Sequence, residues 1–287
     1  FSQYLSPTVI DQIVENPDML QLGGEKREMT PFFSDIQGFS TISEGLTPEE
    51  LVQLLNEYLT AMCGIISSHH GTIDKFEGDA IIAFWGAPLV LPEHATVACY
   101  AAIEMQQRNE EMRQMLREQN RPLLYTRMGL NSGPVVVGNM GSADRMDYTM
   151  MGDVVNLAAR LEGANKFYKT FTMVSGSTYE LAKDDIDSRQ LDIIRVVGKK
   201  EPVHVYEVLA RKNETGSEMS GVVEQYLKGL KLYQDRNFAD AVKEFEKVLD
   251  IDQEDGPSLT YVKRCGVFLE TPPEKDWDGV YTFTEKG

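Results

Sequence analysis

Apolar residues recur along this chain at two spacings, one helical and one typical of strands. After the capping-box sequence Thr47-Pro48-Glu49-Glu50, apolar residues recur every three or four positions until Gly71, which predicts a helix. Two short β-prone runs follow, Thr72–Phe76 and Ala80–Trp85. The tight Glu77-Gly78-Asp79 connection between them predicts a β-hairpin that carries an aspartate at its turn.

The same two patterns predict the remaining elements. Helices are expected over about Ala95–Gln119 and Val154–Lys169, and strands over Glu28–Asp35, Leu123–Asn131, Pro134–Asn139, Phe171–Val174, Leu191–Val197 and Val203–Leu209. Pro31 is a misfit in the first strand, because proline cannot donate to a ladder and normally marks an edge or a strand start. The alternation of strands with helices indicates an α/β or an α+β fold.

The two ends of the chain differ from its middle. Ser6-Pro7 resembles a helix cap before a short apolar face, so residues 1–26 are expected to form a linker helix to an upstream module. The start at Phe1 rather than Met suggests a piece of a longer protein. Residues 211–220 are polar and without periodicity, which predicts a second linker.

Residues 221–287 show a helical pattern of another kind. Gly229, Phe238, Ala241 and Phe245 fall at the offsets of a tetratricopeptide helix pair. One such pair cannot bury its own core. We therefore expect it to pack on the preceding domain, on the segment around Cys265, or on a partner chain; a hairpin that simply closes the fold is an equal alternative.

Composition excludes several classes of protein. The net charge of −17 argues against a nucleic-acid surface, because phosphate binding draws on clustered Lys and Arg. Cys63, Cys99 and Cys265 are widely spaced and odd in number, so neither a disulfide framework nor a zinc site is indicated, and a reducing compartment is expected. No apolar run approaches the roughly twenty residues of a membrane span.

Two acidic positions suggest nucleotide chemistry. Asp35 and Asp79 each stand where an apolar, β-prone run breaks near a glycine. Two such carboxylates can share divalent cations at the edge of a cleft. Taken singly, each is more typical of a turn or a cap, since Asp beside Gly is common in hairpins.

Four motifs in order give the chain a family resemblance. They are Phe32–Ser40, Asp74–Asp79, Arg127–Gly133 and Met151–Glu162, and a fifth element, Val197–Val203, also matches. Together they resemble the class III nucleotide cyclase catalytic domain, over residues 27–210. The resemblance implies an α+β fold built on a ferredoxin-like βαββαβ-type sandwich, to which the C-terminal helices form a small appendage.

The resemblance also implies a role for particular residues. Asp35, Asp79 and the Ile36 carbonyl match the ligands of two divalent cations, Mg²⁺ or Mn²⁺, which suit hard oxygen donors. Asn156 and Arg160, one helical turn apart, match the pair that orients the ribose and stabilises charge on the α-phosphate. The residues that match phosphate-binding positions are Gly38, Phe39, Ser40, Arg127 and Lys199.

Base choice is implied by two further positions. Lys75 is similar to the lysine that donates to purine N1 in ATP-using members, and Thr149 occupies the partner position. A donor at Lys75 suits the unprotonated N1 of adenine, whereas the protonated N1 of guanine would meet it donor to donor. The expected activity is therefore conversion of ATP to 3′,5′-cyclic AMP and pyrophosphate. Guanylate cyclase activity, or a catalytically silent nucleotide-binding module, is the alternative.

Assembly and context are implied as well. Members of this kind work as homodimers in which the metal carboxylates come from one subunit and Lys75, Thr149, Asn156 and Arg160 from the other. This chain carries both sets. By analogy we expect the output domain of a signalling protein, on the cytoplasmic side, with an upstream sensor or membrane segment and with a protein partner for its C-terminal helices.

Overall fold

The computed structural model describes residues 10, 14–15, 23–142, 146–195 and 201–283. The strands are β1 (Gly23–Ile36), β2 (Thr72–Glu77), β3 (Ala80–Trp85), β4 (Thr126–Leu130), β5 (Gly133–Gly141), β6 (Met146–Met151), β7 (Thr172–Ser175), β8 (Ile186–Arg195), β9 (Val203–Arg211) and β10 (Tyr281–Thr282). The helices are α1 (Phe39–Glu44), α2 (Pro48–Ser68), α3 (His94–Glu118), α4 (Asp153–Tyr168), α5 (Gly176–Ala182), α6 (Ser217–Gln234), α7 (Phe238–Ile251) and α8 (Gly256–Glu270).

One sheet organises the fold, in the order β10-β8-β9-β7-β4-β1-β3-β2. The β5–β6 pair branches from it through β1. Antiparallel pairings dominate, while β4–β7 and β8–β10 are parallel. Of the two alternatives left by the alternation of elements, α+β is therefore the correct one.

Pro31 lies inside β1 without breaking it. On one side β1 pairs with β5 as far as Met29 and with β4 from Phe32 onward, so Pro31 stands where the partner changes. Its carbonyl accepts a hydrogen bond from the Asn131 N–H at 3.2 Å. In an antiparallel strand the N and C=O of a residue face the same side, so its nitrogen faces this junction and no ladder bond to β3 is lost. Pro31 is therefore neither at an edge nor at the start of β1, and the misfit is explained by the change of partner strand.

Most predicted elements are present, with shifted ends. The strand expected over Leu191–Val197 begins five residues earlier, at Ile186, and the one expected from Leu123 begins at Thr126. The elements that were not predicted from the sequence include β6, the short helix α5 and the two-residue strand β10. The helix expected near Ser6 falls mostly outside the described residues. So does the start of the Val197–Val203 element, residues 197–200.

Two of the buried clusters define the body of the fold. One joins the sheet to α2 and α3, around residues such as Phe32, Tyr58 and Trp85. The other joins α4, β7, β8 and β9 to the C-terminal helices and includes Tyr168, Leu191 and Tyr226. Because apolar burial is the main force that holds elements together, the first cluster holds α2 and α3 on the sheet and the second holds α4 and the C-terminal helices on it.

The C-terminal helices thus pack on the preceding residues and on each other. A side chain at Gly229 of α6 would clash with the ring of Phe245 in α7, so the absence of one permits close packing of this helix pair. The hydroxyls of Tyr226 in α6 and Tyr261 in α8 both donate to the carbonyl of Leu191, at 2.9 Å. Of the packing partners expected from sequence, the preceding domain and the segment around Cys265 are both used. Tetratricopeptide character stays a prediction.

The stretch expected as a linker over residues 211–220 is shorter in the structure, because β9 runs to Arg211 and α6 begins at Ser217. Among the helices in the described part of the chain, none has the length and apolarity that crossing a bilayer requires.

Candidate active site

The two predicted metal carboxylates lie side by side. Asp35 is the second-last residue of β1, and Asp79 follows Gly78, whose φ of 65° forms the turn between β2 and β3. Asp79 Oδ2 accepts the backbone N–H of Ile36 at 2.9 Å. Burial, together with the hydrogen bond and negative charge of Asp35, raises the pKa of Asp79 to about 6. Two half-buried carboxylates held this close repel each other, which favours the binding of a cation between them.

The donor set fits a hard divalent cation. Asp35 and Asp79 offer carboxylate oxygens, and the adjoining Ile36 offers a backbone carbonyl. Within the described ranges no group of three or more His, Cys, Asp or Glu side chains forms an alternative metal site. Two carboxylates with open positions suit Mg²⁺ or Mn²⁺, which complete their coordination with water and phosphate oxygens.

Arg127 lies against this carboxylate pair. It sits directly opposite Asp35 in the β1–β4 ladder. Its Nη2 donates to Asp35 Oδ2 at 3.1 Å and its Nε to Glu162 Oε1 at 3.0 Å. Burial raises the pKa of Glu162 to about 7, although Arg127 acts to lower it. The sequence did not single out Glu162, because its partner is 35 residues away and nothing local signals the pair.

The segment after Asp35 starts a short helix, as expected. Gly38 adopts a left-handed conformation, φ 69°, and caps α1, and its carbonyl accepts from the N–H groups of Thr41 and Ile42. Phe39 is half-buried against the core, while Ser40 is exposed. Gly38 supplies the turn that lets α1 begin four residues after Asp35.

Helix α4 carries the predicted catalytic pair. Asn156 is exposed and Arg160 half-buried, one turn further along. The Arg160 Nη1 atom is buried and has no hydrogen-bond partner among the described residues. A buried guanidinium nitrogen without an acceptor raises the free energy of the folded chain, so a bound anion that accepts from this atom would be stabilised.

Lys75 and Thr149 meet at a third residue that sequence reasoning missed. Thr149 Oγ1 in β6 donates to Asp74 Oδ2 at 2.7 Å, and Lys75 Nζ lies 3.5 Å from Asp74 Oδ1. Burial raises the pKa of Asp74, against the lowering effect of both partners. The available signal was an acidic residue next to Lys75 in a strand, which is otherwise an unfavourable position for Asp.

The site residues fall into two groups, and within one chain no described hydrogen bond or ion pair joins one group to the other. The Lys75–Asp74–Thr149 group spans β2 and β6, whereas Asp35, Asp79 and Arg127 lie at the β1–β4 end. Lys199, the remaining predicted site residue, lies outside the described residues.

Residues 24–210 match the family of the adenylate and guanylate cyclase catalytic domain. The chain belongs to this family. The α+β fold and the nucleotide cyclase class inferred from the motifs are thereby confirmed, and cyclase domains of this class generally use divalent metals.

Individual relatives agree with this membership. Adenylate cyclase 1 of Rhizobium meliloti is 36% identical over 209 residues, which are 73% of this chain and 31% of that relative. The chain therefore spans about a third of that protein's length. The crystal structure of the adenylyl cyclase CyaB from P. aeruginosa is 40% identical, with a TM-score of 0.62, and covers 68% of this chain and 100% of its own. The guanylyl cyclase Cya2 is 36% identical, with a TM-score of 0.61, and covers 68% and 98%.

Proposed function

We propose that this cyclase domain converts ATP to 3′,5′-cyclic AMP and pyrophosphate. The observation that carries the choice of ATP is the meeting of Lys75 and Thr149 at one place in the fold. A lysine ammonium donates to the unprotonated N1 of adenine, and the threonine oxygen can accept from the 6-amino group. Guanine presents the reverse polarity at both positions.

The chain's own residues divide the work of the reaction. Asp35, Asp79 and the Ile36 carbonyl hold two divalent cations, Mg²⁺ or Mn²⁺. When bound, these lower the pKa of the attacking 3′-hydroxyl and neutralise the leaving pyrophosphate. Asn156 orients the ribose. Arg160 donates to the α-phosphate, where charge builds up in the transition state.

The phosphate tail needs further positive charge in a protein this acidic. Arg127 and Lys199 supply it to the β- and γ-phosphates, with Gly38, Phe39 and Ser40 lining the same end. In the structure Arg127 is held by Asp35 and Glu162. Arg127 thus stands beside the carboxylate that would hold a cation, at the end of the site where the phosphates would bind.

The complete site forms between two copies of the chain. The described hydrogen bonds and ion pairs do not link the metal carboxylates to Lys75, Asp74 and Thr149 within one chain, and we infer that a partner subunit brings the two groups together. Lys75, Asp74 and Thr149 are called here the base-reading group. Large apolar residues close to this group are exposed, with exposed fractions of 48% for Phe76, 44% for Val136 and 60% for Met151. An apolar surface beside a polar site favours burial against a second subunit.

The first experiment measures product. The purified chain is incubated with ATP or GTP, each with Mg²⁺ or Mn²⁺, and cyclic nucleotide and pyrophosphate are quantified. We expect metal-dependent cyclic AMP that is lost in Asp79→Ala. The matched control is Asp250→Ala, which removes an exposed aspartate on α7 and should keep wild-type activity. Cyclic GMP as the main product would establish the guanylate alternative, and nucleotide binding without product would favour the silent module.

The second experiment tests the shared site. Asp35→Ala and Arg160→Ala chains are each inactive by this reasoning, yet a mixture should form heterodimers with one intact site. When equal amounts of the two chains exchange subunits at random, half of the dimers are heterodimers, and each heterodimer has one intact site out of two. About a quarter of the wild-type activity should therefore be recovered. No recovery in a mixture shown to exchange subunits would contradict the shared site.

A further inference from the structure

Asp74 occupies an irregular position in β2. The β2–β3 register passes from Ile73 opposite Ala83 to Lys75 opposite Ile82, so Asp74 is the extra residue of a β-bulge. Bulges redirect side chains and occur often beside functional sites. Here the bulge places the Asp74 carboxylate, 3% exposed, against Thr149 of β6.

The first consequence concerns the polarity of Thr149. A hydroxyl has one proton to donate and two lone pairs that accept. The Thr149 proton is used in the 2.7 Å hydrogen bond to Asp74 Oδ2. Towards a bound base the Thr149 oxygen can therefore only accept. The 6-amino group of adenine is a matching donor, whereas guanine O6 would place two acceptors against each other.

The second consequence concerns Lys75. Asp74 Oδ1 is buried, has no hydrogen-bond partner among the described residues and faces the Lys75 ammonium at 3.5 Å. A buried carboxylate beside an ammonium attracts it and so restricts its position, and an ammonium has three donors and no acceptor. Lys75 is then held as a donor, which suits the unprotonated N1 of adenine.

We propose that Asp74 is a positioning residue that fixes the hydrogen-bonding polarity of Thr149 and the position of the Lys75 ammonium, and so selects adenine over guanine. It acts through Thr149 and Lys75 and does not touch the nucleotide. This inference rests on the proposed function. It adds to that function the residue that makes the Thr149 hydroxyl, which by itself can donate or accept, specific for one base.

The test is a double-mutant cycle read out as a specificity ratio. kcat/KM is measured for ATP and for GTP in the wild type, Asp74→Ala, Thr149→Val and the double variant. We expect Asp74→Ala to lower the ATP-over-GTP ratio about tenfold, the size of one net hydrogen bond. In the Thr149→Val background, Asp74→Ala should lower the ratio by clearly less, because the hydroxyl through which Asp74 partly acts has already been removed. A merely structural role would reduce both substrates alike.

The matched control is Asp185→Ala. Asp185 also accepts a threonine hydroxyl, that of Thr96 at 3.2 Å, but remote from the base-reading group. Its ratio should equal the wild-type ratio. If Asp74→Ala does not fold, Asp74→Val fills more of the space and also removes both the acceptor for Thr149 and the charge that faces Lys75, and the same drop is expected. An unchanged ratio in the folded variant, or an equal drop in both Thr149 backgrounds, would overturn the proposal.

Failure of the proposed function is distinguishable from failure of this inference. Cyclic AMP from the wild type establishes the activity whatever Asp74→Ala does. If the wild type forms no cyclic nucleotide, the same cycle is run on Kd values for ATP and GTP by calorimetry. A lower ATP preference in Asp74→Ala supports the inference there, and an unchanged preference overturns it.

Discussion

Replacement of Arg264 by methionine tests how firmly the C-terminal helices are joined to the catalytic domain. Arg264 in α8 is almost fully buried, and its Nη1 donates to Asp192 Oδ2 in β8 at 2.6 Å. The same Asp192 oxygen accepts the hydroxyl of Tyr168, the last residue of α4, at 2.6 Å. The ion pair with Arg264 and the hydrogen bond from Tyr168 meet at Asp192 and so link α8, β8 and α4. Methionine keeps much of the apolar volume and removes the charge.

The magnitude follows from what is left behind. Asp192 is 2% exposed and would lose its only cation in contact among the described residues, keeping the Tyr168 hydroxyl and the Ile193 N–H. Removing one partner of a buried pair typically costs about 3 to 5 kcal/mol of unfolding free energy. Because two neutral or backbone donors remain on Asp192, we expect the lower end, about 3 kcal/mol. For a chain of this size that lowers Tm by roughly 6 to 12 °C.

The assay is urea unfolding followed by circular dichroism. It compares the wild type, Arg264→Met, the double variant Arg264→Met/Asp192→Leu and the control Lys228→Met. Lys228 pairs with Glu224 on the exposed face of α6, so its loss should change the unfolding free energy by less than about 0.5 kcal/mol. The double variant should be more stable than Arg264→Met, because no unpaired buried charge remains. A loss below about 1 kcal/mol in Arg264→Met, or a double variant no better than the single, would refute the reasoning.

Three further predictions concern close packing and pH. Gly256→Ala should lower stability by roughly 1 to 3 kcal/mol in urea unfolding, since its Cβ would lie 2.3 Å from the Tyr168 carbonyl; Gly266→Ala on the same helix meets nothing within 4 Å and should stabilise slightly. Gly129→Ala should also destabilise and reduce cyclase activity, because its Cβ would lie 2.1 Å from the backbone of α4; unchanged Tm would contradict this contact. Burial lowers the pKa of His94, so the unfolded chain takes up the proton more readily and stability should fall as pH drops below about 6.5; His94→Gln should lose this part of the pH dependence.

The sequence was informative wherever a signal is local. The Thr47–Glu50 capping box predicted the start of α2, and both of its hydrogen bonds are present. The hairpin with Asp79 at its turn was read from a single glycine between two β-prone runs. Asp35 and Asp79 were expected to meet because each was placed at an exposed end of a strand. In the structure Asp79 accepts the N–H of Ile36, the residue after Asp35, and the Asp35 carboxylate is close enough to help raise the pKa of Asp79.

Features set by register were not predictable from one sequence. The Asp74 bulge depends on how β2 pairs with β3, and alternation along β2 alone does not reveal an extra residue. The hydrogen bond from Thr149 to Asp74 spans 75 positions. The difficulty with Pro31 had the same origin, since its tolerance depends on where β1 exchanges β5 for β4.

The shared core gives the C-terminal helices a direct mechanical link to α4. Thr260 Oγ1 of α8 donates to the carbonyl of Phe167 at 2.9 Å, and Gly256 packs against the carbonyl of Tyr168. Arg160 lies eight residues before Tyr168, about 12 Å along the same helix at 1.5 Å per residue. A helix is stiff over two turns, so a displacement of α8 that moves the end of α4 also moves Arg160. The position of this arginine therefore depends on residues beyond those that match the cyclase family.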